Sequence, residues 1–163
     1  MNNNQTTIHP FNNIIETGLR ILSILNASFP VSFDLQMLVY LDYLTVHSGD
    51  IVNGVKSLHP AVPSRKGEMF VRRSLIKESL DVFESKGLIV KKYQAYGIEY
   101  SVSENATPFI ESLSEEYSLE LNTKAHWVVN KFVDIDVLEL EKYMQRYMTV
   151  DDNNVSVKLI ING

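Results

Sequence analysis

The chain has no cysteine at all. That excludes a disulfide framework and thiolate metal sites, and it fits a reducing compartment. None of its apolar runs is long enough to span a bilayer, and its start does not pair positive charge with a long apolar stretch. No glycine-rich phosphate loop occurs among its 7 glycines, so ATP is not bound by that device. His9, His47, His59 and His126 each lack a His or Glu three or four residues away, the spacing that would make a helical metal site. Ser57 and His59 are close in sequence, but a serine nucleophile needs its base brought across the fold and oriented by a third group. The doublets Glu115-Glu116 and Asp151-Asp152 read as solvated charge rather than paired acid and base. The expectation is a soluble cytoplasmic protein that is not an enzyme and uses no cofactor or metal.

What is present is a globular composition. Apolar residues make up 45% of 163, enough for one domain or one domain with a small appendage. The net charge of −5 is unevenly distributed. Residues 1–53 carry one Arg against four acids, residues 54–100 nine Lys and Arg against five, and residues 101–163 five against eleven. A basic middle between acidic flanks does not suit a chain that coats nucleic acid all over. It permits one basic face, and equally a helix and hairpin with an ordinary solvated surface.

The periodicity predicts mainly helix with a β-hairpin, an α+β fold. A first helix starts near Asn13, with Glu16 three residues on, and ends at Phe29-Pro30. A second, capped by Ser32, is apolar nearly all round from Leu35 to Leu44, with Asp42 the exception. Asp42 either lies on the one exposed strip or is buried with an arginine partner. A proline-punctuated connector then leads to a third helix over about 68–86, closed by Gly87. The period changes to two for a hairpin from Leu88 to Ser103. One long helix begins at Thr107-Pro108 and breaks near Asn122-Thr123, and a last helix begins at Asp136. Residues 155–161 read as a strand. Helix, helix, helix, hairpin is the winged helix-turn-helix order. The expected organisation is a polar tail over 1–10, a winged-helix-like domain over 11–104 and a helical extension with a terminal strand over 105–163.

Three sets of candidate residues emerge. Arg65, Lys66, Arg73 and Lys77 would present phosphate contacts at the start and along one face of the third helix. Alternatively one arginine is internal, with Asp42 pairing to Arg72 or Arg73. Glu115, Glu116, Glu120 and Glu141, with Val137, Leu140, Met144 and Tyr147, form a candidate partner surface. The tail strand would pair beside the hairpin or add to a partner's sheet, with the internal pairing preferred.

Several stretches carry a family resemblance. Residues 13–22, Asp34-Leu35, Leu41-Asp42-Tyr43, Ser57-Leu58-His59-Pro60, Pro63-Ser64-Arg65, Val71-Arg72-Arg73, and Gly97 before Tyr100 resemble the middle component of ABC three-component systems over about 11–132. The resemblance implies a non-enzymatic adaptor beside an SMC-like ATPase and an effector, often a nuclease, in Lamassu-type antiphage or antiplasmid defence, with DNA reached through the complex and no membrane. The rival is a stand-alone winged-helix transcription regulator. The acidic C-terminal third suits a protein partner better than DNA.

Overall fold

The computed structural model describes residues 13–51, 53–60 and 65–149. Helix α1 spans Ile14–Ser28 and is capped by Asn13, whose side chain accepts from the Glu16 amide at 2.8 Å. It stops before a cis Phe29-Pro30 peptide. Helix α2, Leu35–Val46, is capped by Asp34, which accepts from the Met37 amide at 2.8 Å. Ser32, expected to cap α2, instead donates to Glu99 Oε2 at 2.7 Å. The displacement has a cause: Phe33–Asp34 form a short strand, β1, and α2 can start only where that strand ends.

Helix α3, Arg65–Ser85, begins three residues earlier than the apolar period suggests. Gly87 follows it with φ of +72°, a left-handed conformation that glycine adopts without strain. Strands β2, Ile89–Gln94, and β3, Gly97–Val102, form the hairpin, joined by Ala95-Tyr96. The antiparallel sheet has the order β1-β3-β2, with Phe33 opposite Tyr100 and Lys91 opposite Tyr100 on the other side. Lys91 lies 2.8 Å from both Asp81 and Glu84, which fastens β2 to the end of α3.

The expected single helix from Thr107 is two. Helix α4 spans Ala106–Glu111 and α5 spans Glu116–Phe132. The break falls at 112–115, not at Asn122-Thr123. Glu115 is extended, and Ser112 donates back to the Phe109 carbonyl at 2.6 Å, whereas the Thr123 hydroxyl is absorbed by the Leu119 carbonyl at 3.0 Å and leaves α5 continuous. Helix α6 spans Val137–Thr149, with Asp136 accepting from the Leu138 amide at 2.8 Å. The core runs through every helix: Leu22 and Leu25 of α1, Leu38 and Leu41 of α2, Ile76 and Phe83 of α3, Ile110 of α4, Val128 and Phe132 of α5, and Leu140 and Met144 of α6. The tail strand expected over 155–161 lies outside the described residues.

Candidate functional site

Inside this apolar core sits a polar hub. It starts from α2, which is buried on nearly every side, so its one carboxylate, Asp42, has no route to water. An isolated buried charge costs several kcal/mol, on the order of the stability of a whole domain. Two arginines meet it. Arg20 of α1 donates from Nε to Asp42 Oδ1 at 2.7 Å, and Arg72 of α3 donates to Asp42 Oδ2. Arg20 also reaches Thr17 Oγ1 at 3.1 Å. Burial pushes the Asp42 carboxyl up, but the two guanidiniums outweigh it and hold the group down at about 2.

The hub continues outward. Arg72 donates to Glu68 one turn earlier on α3, and Glu68 Oε1 lies 3.2 Å from His47 Nε2. Burial raises Glu68, and its bonds to His47 and Arg72 more than reverse that, so its pKa is lowered. Burial opposes charge on Arg72, and Asp42 and Glu68 more than restore it, raising its pKa. The Arg72 guanidinium also sits over the Tyr43 ring at 5.8 Å.

The connector is tied to the same hub. The backbone amides of Leu58 and His59 both donate to the Val46 carbonyl at 3.0 Å, and Ser57 Oγ accepts from the Gly49 amide at 2.9 Å. Ser57 is therefore a strut of the loop. His59 Nε2 lies 2.9 Å from the Tyr117 hydroxyl on α5. Burial, with Arg20 and Arg72 nearby, lowers His59 to about 4, and burial raises the Tyr117 phenol. Lys124 of α5, also buried, donates to the Lys56 carbonyl. Four helices and the connector thus converge on charges that cancel pairwise, two arginines against Asp42 and Glu68.

Of the sequence candidates, Asp42 and Arg72 are brought together. Arg73 is not part of that pair: consecutive helical residues diverge by about 100°, and Arg73 faces outward, donating to Gln36 Oε1 at 2.6 Å. Arg20, Glu68, His47, Tyr117 and Lys124 were missed. Arg20 had a signal, being the lone cation of residues 1–53 facing a lone carboxylate in an apolar helix.

Lys66, Arg73 and Lys77 are exposed on α3, while Arg65 is placed by its backbone only. Glu115, Glu116 and Glu120 are exposed on and before α5, around Leu119, which is 57% exposed. Leu140 and Met144 are corrected out of that surface, because both are buried in the core. Val137 and Glu141 are half-buried, and the Tyr147 side chain lies outside the described residues. No group of three or more metal-ligating side chains occurs among the described residues. None of the described helices is long and apolar enough to cross a membrane.

Residues 10–152 match the family model of the ABC-three component system Middle Component 2. The chain belongs to that family. No curated protein and no solved structure matches it. In this middle component four of the stretches that carry the resemblance reach the hub: residues 13–22 through Arg20, 41–43 through Asp42, 57–60 through His59 and 71–73 through Arg72. Asp42, His59 and Arg72 are all buried there, and Ser57 braces the loop beside it.

Proposed function

We propose that this middle component is a non-enzymatic adaptor in a bacterial antiphage or antiplasmid defence complex of the Lamassu type, working in the cytoplasm. It bridges an SMC-like ATPase to an effector, a nuclease. The helices α1–α3 with the β2–β3 hairpin act as a winged helix-turn-helix body, and α4–α6 extend it toward a partner. By itself the chain neither hydrolyses ATP nor cuts DNA.

The observation that supports this reading is the use made of the ionisable residues. Asp42, Arg20, Arg72, Glu68 and His59 face each other inside the protein and hold four helices and a loop in one arrangement. A charged network sealed in this way rigidifies a scaffold and offers nothing to a substrate. What reaches solvent includes an acidic surface on and before α5, and charge of one sign is a form in which one protein selects another. The acidic face of α5, with Glu115, Glu116 and Glu120 around Leu119, is the surface assigned to the ATPase.

Charge reversal tests that assignment. Glu115→Lys, Glu116→Lys and Glu120→Lys together should leave the isolated chain folded, with a lower melt because Glu120 pairs with the buried Lys124 at 3.6 Å, and abolish its co-purification with the co-expressed ATPase. Retention of the ATPase by the triple variant would remove this face from the account.

A further inference from the structure

Helix α3 carries a second outward surface, of opposite sign, with a feature that the basic residues alone do not reveal. Phe70 is 79% exposed in the second turn of this helix, beside the also exposed Val71. Lys66 is four residues before it, Arg73 three after, Ser74 four after and Lys77 seven after, so all five share one face. Phe70, Arg73, Ser74 and Lys77 line a shallow groove with Leu35, the first residue of α2. Arg73 is held at the groove by its bond to Gln36 Oε1 at 2.6 Å. An apolar floor of Leu35 and Phe70 is thus rimmed by cations on an open surface.

We propose that this groove is a docking site for a short acidic segment of a partner subunit, with one apolar side chain set against Phe70 and Leu35 and its carboxylates on Lys66, Arg73 and Lys77. The proposal rests on the adaptor reading, to which it adds a second, oppositely charged contact point.

Three observations favour a peptide over nucleic acid. The floor is apolar, and Phe70 beside Leu35 within a rim of cations offers an anchor point for an apolar side chain. A phosphate backbone would use the cations and leave Leu35 uncovered. The patch is also short: Lys66 to Lys77 is about 16 Å along the helix, the length of an extended segment of about five residues. Beyond it the charge reverses. Glu78, Asp81 and Glu84 follow on the same helix, and Asp81 and Glu84 are engaged by Lys91. A nucleic-acid strand running on along α3 would meet those carboxylates, whereas a short acidic segment ends before them.

The chemistry of the occupant is therefore an apolar anchor between aspartates or glutamates, with affinity that falls as salt rises. Because Phe70, Arg73 and Lys77 all face solvent, their replacement does not disturb the core.

The test uses the full chain co-expressed with the ATPase and the effector. Phe70 is replaced by the photo-crosslinking residue p-benzoylphenylalanine, the complex is irradiated, and the attached peptide is identified by mass spectrometry. The expected product is a single acidic segment of the ATPase or the effector. Phe70→Ser with Arg73→Glu should then weaken co-purification of that subunit at least about tenfold, with the thermal melt unchanged. A crosslink to DNA, to a second copy of this chain, or to nothing while the complex forms overturns the proposal and leaves the adaptor reading standing. Failure of any complex to form removes both.

Discussion

Arg20 of α1 and Asp42 of α2 form a two-point ion pair, Nε to Oδ1 at 2.7 Å and Nη2 to Oδ2 at 3.4 Å, with both side chains fully buried. Arg72 of α3 donates to Oδ2 of the same carboxylate. One residue thereby fixes the mutual positions of three helices. Removing it leaves two guanidiniums in the core with one carboxylate fewer. Asp42→Ala should cost about 3–5 kcal/mol in equilibrium urea unfolding. Replacing the whole set, Arg20→Met with Asp42→Leu, Arg72→Met and Glu68→Gln, should recover much of that loss, because Glu68 loses its charge together with its Arg72 partner and no uncompensated charge remains. A urea midpoint for Asp42→Ala equal to the wild type would contradict the hub.

Helices α1, α2, α3 and α6, the hairpin and Gly87 were legible in the sequence from a period, a cap or a glycine at the required conformation, whereas the break between α4 and α5 was not. Asp42 was also legible, as a carboxylate without neighbours of its own kind. Its choice of partner was not. Arg72 and Arg73 look alike along the chain, and only the rotation of α3 against α2 decides between them. Arg20 lies 22 residues from Asp42, a separation across which no local pattern points. β1 was invisible because two residues carry no periodicity. Leu140 and Met144 repeat at a spacing that marks a face of α6, and the spacing cannot say whether that face meets a partner or this chain's own core. Phe70 was not singled out, because one aromatic beside the buried Met69 carries no pattern of its own and only the rotation of α3 shows that it is exposed.

Gly18 lies where α1 crosses α3. A Cβ there would collide with the ring of Phe83, which is itself buried. Gly18→Ala gains helix propensity, a few tenths of a kcal/mol up to about 1 kcal/mol, yet it forces the Phe83 ring out of place at about 1–3 kcal/mol. The second effect wins, so the variant should melt lower than the wild type. Combining it with Phe83→Leu should restore part of the difference. A Gly18→Ala protein more stable than wild type would mean that the helices do not touch at this point.

His59 makes the stability depend on pH. Its folded value is lowered to about 4 from an ordinary 6.5. Between those values the unfolded chain takes up a proton that the folded chain does not. The contribution of the neutral ring is therefore fully present above pH 6.5 and is lost as the pH falls to about 4. His59→Gln lacks this titration while keeping a polar group near Tyr117. The stability advantage of the wild type over His59→Gln should shrink across that window. An advantage that stays constant from neutral to acid pH would show that His59 is not held neutral.

Bridging is the claim on which the functional account turns, and a three-component retention assay reads it directly. The ATPase is tagged, the effector is untagged, and both are expressed with and without this chain. The account predicts that the effector is retained on the tagged ATPase only when the middle component is present, with all three eluting as one species in size-exclusion chromatography. Retention of the effector in its absence, or failure of the ATPase to retain this chain, would contradict the account.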